Sequence, residues 1–522
     1  MAELKFGVAQ RDITPGHPVW AHGYASRTHP SSGVREALSL VCLAASDGEN
    51  RILFFALDMI GVQFDVCQEL YALLEQETGV GYPNILISGS HTHFAPALHG
   101  TTSSEPEVAF VDPDSNYVSE FKRKMIDTAK EALGNLCSMR VETARVRVPQ
   151  VLFNRRTVRK SDGIVEMNLL YPDDPTPYTF SPVDDELTVH RLVGEDGHQA
   201  ALLNFSCHPV TGCSPEEDYY RFSADYIYYA RQTISRTWQC PVLFTLGAAG
   251  DAAPINRRGD CRQRIGDILG QSTILAERLF QNDASTSLSA DSVVLEVETI
   301  IKTDPATAEA EYEEARQDVL AQKEAKGGAY GQLLNTFRHK MMVYSRARQY
   351  PENRTQINIQ FVQIGDTVFV GLPFEVLAEI GLKMKQRFPN SVLVSCCGGY
   401  QGYLPLAYEY DRGGYEATSS STHFMPGTAD RILELILKRL GGMTFSRWGH
   451  LQTHHTKDNN HVIIFTHHRR RDRRFKVTSK YQRDRLAEGN SASRWWLLAV
   501  TFSPCNRTHC RSNTTGSSGY TR

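Results

Sequence analysis

The chain has 522 residues, 41% hydrophobic and 22% charged, which is ordinary globular composition and too long for one small domain. No apolar run approaches the roughly 18 to 20 residues needed to cross a bilayer, so no transmembrane segment is expected. The formal net charge of −3 is unevenly divided: residues 443–522 carry 15 Lys and Arg against 4 Asp and Glu, leaving 41 against 55 in residues 1–442.

From Met1 the chain enters a predicted strand over 4–10 with no apolar signal core before it, so the sequence as written reads as cytoplasmic. Strands are predicted over 39–46 and 51–58, a helix over 64–79, and a strand over 83–88 that ends in Ser90-His91-Thr92-His93. In extended backbone, residues two apart project to one side, so this spacing aims both imidazoles into one cavity. Neutral imidazole is a common metal ligand and the usual proton carrier near pH 7. Paired histidines at a strand end are also ordinary loop residues, so the metal reading depends on distant partners. Asp58, closing the strand over 51–58, reads equally as a pocket residue or a structural turn.

A helix over 116–135 and a strand over 139–148 precede Asn154-Arg155-Arg156. Strands over 187–194 and 199–206 follow, the second running into Cys207-His208-Pro209, again an apolar run ending in histidine. A helix over 223–237 and a strand over 240–246 lead to the small-residue turn Gly247–Asn256, which contains Asp251 and Ala253. Its glycines admit close approach of backbone to a ligand, or simply make the turn. Next come a helix over 262–281, a strand over 290–301, and a polar helical stretch over 305–350 that reads as a surface arm with a helix over 305–325.

Strands over 357–364 and 367–371 are followed by Pro373, which suits the first turn of a helix over 373–388. Glu375 falls in that turn, where the helix dipole favours a carboxylate even without a metal. A strand over 391–397 contains Cys396 and Cys397, which read as small buried residues; the eleven cysteines show no CxxC zinc pattern and no disulfide framework. Tyr400 and Tyr403 lie in a glycine-rich loop before Tyr415-Glu416-Ala417-Thr418-Ser419, and a helix over 427–440 stops at Gly441-Gly442. The alternation of strands and helices predicts a mixed α/β fold of two packed β-sheets flanked by helices, in one large catalytic domain over 1–442. Residues 443–522 read as a basic tail, disordered or aberrant, because the run Arg469–Arg474 has no aromatic interleaving or recognised binding module beside it.

Taken in order, these segments resemble the neutral (neutral/alkaline, non-lysosomal) ceramidases, from Val8–Pro15 through the helix ending near 440. The resemblance implies one zinc ion per chain, held by His91, His208, Glu375 and Tyr403, with His93, Arg155 and Tyr415 as catalytic groups. It implies hydrolysis of the N-acyl linkage of ceramide by a zinc-activated water. The expected partner is a small-molecule or lipid amide, with no nucleic acid; a lipid substrate would bring the protein into peripheral contact with a membrane. Three features depart from the family: Ala253 stands where it has a serine, Ala417 breaks its YEGAS pattern, and residues 443–522 have no likeness to its C-terminal immunoglobulin-like domain. Two other readings stay open at this stage. One keeps fold and metal but acts on a smaller non-lipid amide or ester; the other is a non-catalytic binding or scaffold protein.

Overall fold

The computed structural model describes residues 3–442 except 104, 196, 213–215 and 323–327; the expected tail over 443–522 lies outside the described residues. The first sheet contains β1 (Lys5–Asp12), β2 (Ser39–Ser46), β3 (Arg51–Leu57) and β4 (Ile85–Gly89), ordered β4-β3-β2-β1 with Cys137–Ser138 at the edge. The second contains β5 (Arg140–Arg147), β6 (Glu186–Gly194), β7 (Gly197–Phe205) and β8 (Val242–Leu246), ordered β8-β7-β6-β5 with Gln281–Asn282 at its edge. A third runs β9 (Leu288–Glu298), β10 (Arg354–Ile364), β11 (Thr367–Gly371), β12 (Ser391–Val394). The layered α/β class expected from the sequence holds, with the strands shared among three larger sheets.

Side-chain alternation along the strands explains the layering. In β3, Ile52, Phe54 and Ala56 enter a core shared by all three sheets, while Leu53, Phe55 and Leu57 face the other way. In the second sheet, Ala200 and Leu202 of β7 enter that shared core and Ala201, Leu203 and Phe205 face outward. Strands buried on both faces need apolar residues at every position, which is why these runs are nearly continuous Ile, Leu, Phe and Ala. The outer face of the first sheet is covered by α1 (Phe64–Thr78) and α2 (Ser115–Gly134), and that of the second by α3 (Tyr226–Trp238) and α4 (Cys261–Leu275).

The polar stretch over 305–350 forms two paired helices, α5 (Pro305–Ala321) and α6 (Gly328–Gln349). Ala308, Tyr312, Ala315 and Val319 make the buried stripe of α5, and the last three cluster with Phe337 and Met341 of α6. Between β11 and β12 lies α7 (Ala378–Arg387), and beyond β12 lies α8 (Thr428–Gly442). The helix expected over 373–388 starts at Ala378 instead. Glu375–Val376 is a short strand pairing in parallel with Tyr403–Leu404, and Glu375 is therefore not a helix-dipole residue. Pro373 misled because the chain spends those residues on this pairing: Glu375 N–H donates to Gly402 O and Gln401 N–H to Pro373 O.

Each sheet contains one parallel pair: β3 with β4, β7 with β8, and β11 with β12. Residues 395–398 join their carboxyl ends. Ser395 N–H donates to Leu246 O at the end of β8, Gly89 N–H at the end of β4 donates to Cys396 O, and Cys397 N–H donates to Leu372 O just beyond β11. In open α/β sheets the carboxyl ends of parallel strands are where ligand-binding loops emerge. Here three such ends converge.

Candidate metal centre

The carboxyl end of β4 delivers His91 and His93, but not through the strand pleat. The strand stops at Gly89, and His91 takes a left-handed conformation with φ +68°, a costly one for a residue with a Cβ. Its backbone N–H is held by Met59 O at 2.8 Å and its Nδ1 by Ile60 O at 2.7 Å. The two rings meet edge to face, with Nε2 atoms 3.3 Å apart. The two imidazoles thus come together through a turn at His91 and not through the strand alternation expected from their spacing.

The carboxyl end of β7 delivers His208, whose N–H donates to Ala252 O at 3.0 Å and whose Nδ1 meets Ala249 O at 2.6 Å. The carboxyl end of β11 delivers Glu375. Its Oε2 lies 2.9 Å from His208 Nε2 and 3.1 Å from His91 Nε2, and all three side chains are at most 2% exposed. One glycine of the turn over 247–256 serves this assembly: a Cβ on Gly250 would lie 2.6 Å from Glu375 O.

Hydrogen bonding fixes the chemistry of the cluster. Because His91 and His208 each direct Nδ1–H at a backbone carbonyl, their Nε2 atoms present lone pairs, and both face an oxygen of an ionised carboxylate. Three lone pairs converge with no proton between them unless the site takes one up. Burial opposes charge on either partner, yet the Glu375 carboxylate raises His91 well above its ordinary value and the imidazoles hold Glu375 well below the usual carboxylate range. Burial holds His208 down to about 4, so it stays neutral. Such a donor set fits a cation. With Zn–N and Zn–O distances of about 2.0 to 2.1 Å, ligand atoms of a tetrahedral site lie about 3.3 Å apart; the spacings of 2.9 and 3.1 Å from Glu375 to the two imidazoles are close to that. His91, His93 and His208 also offer ligand nitrogens within 4.8 Å of one another.

The remaining predicted residues surround this centre. Tyr403, paired with Glu375 across the short strands, accepts at its hydroxyl from Arg155 Nη2 at 2.9 Å. Arg155 follows the short strand Leu152–Asn154, which pairs with Ala252–Pro254, and its Nη2 also donates to Gly250 O at 2.9 Å. Tyr415 is 45% exposed, with its ring 5.6 Å from that of Tyr403. Ala253 is fully buried opposite Phe153.

No family model and no curated protein matches the sequence. Among solved structures, the chain is similar to neutral ceramidase from Pseudomonas aeruginosa, with a TM-score of 0.61 at 17% identity over 84% of this chain and 74% of that one. The fold is that of neutral ceramidase. A second similar structure, a ceramidase complexed with C2, gives a TM-score of 0.62 at 17% identity over 84% of this chain and 75% of that one.

Within this ceramidase fold several residues escaped the sequence reading. Tyr400, not Tyr403, donates its hydroxyl to Glu375 Oε1; the two tyrosines share one glycine-rich loop, and nothing in their spacing separates their roles. Gly23 (φ +111°) lies against His93, and the Tyr24 ring centroid is 4.8 Å from that of His93. Glu416 and Arg156 make a buried ion network with Arg155. Two ambiguous acids prove structural: Asp58 pairs with buried Arg231, and Asp251 accepts from Ala378 N–H at the start of α7 and from Asn154.

Proposed function

We propose that the chain is a zinc-dependent hydrolase of linear amides, cleaving the N-acyl linkage of a ceramide-type substrate to a sphingoid base and a fatty acid. One observation carries this reading: the Nε2 atoms of two imidazoles, each fixed through its Nδ1, both lie within 3.1 Å of one buried carboxylate oxygen. His91, His208 and Glu375 would hold the ion, and the Tyr403 hydroxyl retains a lone pair for it while accepting from Arg155. Zinc held there would supply a Lewis acid that draws the pKa of a water from about 15.7 towards roughly 7.

The chain's own groups account for the rest. His93 is kept neutral by burial and by the adjacent His91 and His208, and its Nδ1 has no partner among the described residues. It would accept a proton from the attacking water and return it to the departing nitrogen. Arg155 spends Nε and Nη2 on the protein, and its Nη1 makes no hydrogen bond among the described residues. That free edge would donate to the developing oxyanion, with the Tyr415 hydroxyl at the rim. Among the described residues no helix is long and apolar enough to cross a membrane.

Hydrolysis of a long-chain N-acyl sphingoid base, lost on chelation and restored by zinc, tests the reading; zinc-loaded protein inactive on every N-acyl amide would refute it. Ala253, where the family resemblance has serine, favours a second reading in which the same centre acts on a smaller amide or ester. Turnover confined to short N-acyl compounds would select it.

A further inference from the structure

Arg155 and Arg156 are consecutive, both nearly fully buried, and both bound to one carboxylate. Arg155 Nε donates to Glu416 Oε1 at 2.8 Å, and Arg156 Nη1 donates to Glu416 Oε2 at 2.8 Å. Glu416 is itself fully buried. Arg156 is further anchored by Glu409 and by Gly413 O at 2.8 Å, so two cations and two anions make a neutral buried quartet. Gly414 (φ +89°) permits the approach: a Cβ there would lie 2.8 Å from Arg156 Nη1 and 2.6 Å from Val165 Cγ1.

The quartet lies directly beside the metal centre, because the guanidinium that Glu416 grips also bonds Tyr403 and Gly250 through Nη2. A guanidinium is planar, so fixing Nε and Nη2 fixes where Nη1 points. The Arg156 guanidinium, by contrast, bonds Glu416, Glu409 and Gly413 O, and among the described residues it bonds no group of the metal centre.

We infer that Glu416 is a positioning residue: it sets the plane of the Arg155 guanidinium and so aims its free Nη1 edge at the oxyanion, with Arg156 counterbalancing the buried charge. The inference rests on the hydrolase reading for its consequence in turnover, but the geometry also makes a claim about oxyanion binding that needs no turnover.

The experiment compares native protein with Glu416→Gln, Arg155→Met and the double variant, all zinc-loaded, by amide hydrolysis and by calorimetric titration with inorganic phosphate as a tetrahedral oxyanion. Misplacing a reacting group by about 1 Å costs up to roughly 100-fold, so Glu416→Gln should lower kcat between about 10-fold and 100-fold with KM within about threefold. It should weaken phosphate binding while leaving zinc content unchanged. In the Arg155→Met background the same substitution should add no further loss in either readout, a non-additivity that a merely structural role would not produce. Additive losses, or native phosphate affinity in Glu416→Gln, would overturn the inference. If native protein binds phosphate but hydrolyses no amide, the hydrolase reading fails and the binding cycle still decides this one. Should Glu416→Gln not fold, Glu416→Gln with Arg156→Gln removes one charge of each sign and carries the same expectation.

Discussion

Gly23 gives the sharpest test of how the ceramidase fold holds His93. Its φ of +111° is one that residues with a Cβ rarely adopt, and an added Cβ would lie 2.7 Å from His93 Cγ and 2.8 Å from its Cα and Cβ. Ordinary contact begins near 3.4 Å, so Gly23→Ala must open this gap by about 0.6 to 0.7 Å, and His93 Cα being among the atoms met, backbone must move. The backbone conformation costs about 1 to 2 kcal/mol and the overpacking about 1 to 3 kcal/mol. For catalysis, a displacement approaching 1 Å predicts a loss in kcat of up to about 100-fold. Zinc content should be retained, because His91, His208 and Glu375 are not the atoms displaced. The assay is amide hydrolysis beside urea denaturation and metal analysis of the same preparation. A Gly23→Ala protein with native stability and kcat within about threefold would show that His93 is not held in place by this contact, and the reasoning would fail.

Other outcomes follow from particular contacts. Tyr400→Phe removes the hydroxyl donor to Glu375 Oε1 and should weaken zinc about 10-fold to 100-fold, read by competition with a chelating dye. His190, buried and bonded through Nδ1 to Thr143, is held down to about 3 by burial. Below pH 6.5 the unfolded chain therefore binds a proton that the folded chain refuses, and stability falls with falling pH until about 3; between pH 7 and 5 the share of this one group is about 2 kcal/mol. His190→Gln, measured by urea denaturation at both pH values, should lose less stability on acidification than the native chain by about that amount; an unchanged difference would contradict the assignment.

The layered fold was legible because strands buried on both faces read as unbroken apolar runs and their alternation survives in the sequence. The strand ends were legible too, since His91, His208 and Glu375 each follow such a run. What local pattern could not give was the backbone that brings them together. Pro373 signals a helix start wherever it stands, yet tertiary pairing with Tyr403–Leu404 overrides that signal. The left-handed turn at His91 depends on Met59 and Ile60, distant in sequence. Tyr400 and Glu416 were hidden because a buried tyrosine or glutamate declares its partner only in three dimensions.

The central claim is that His91, His208 and Glu375 together bind one divalent cation. Metal analysis of native protein and of His208→Ala and Glu375→Ala, each saturated with zinc and then desalted, tests it most directly. The account predicts about one zinc per native chain and a small fraction of that in either variant, with all three proteins folded; native protein that emerges without zinc, or variants that keep it in full, would contradict it.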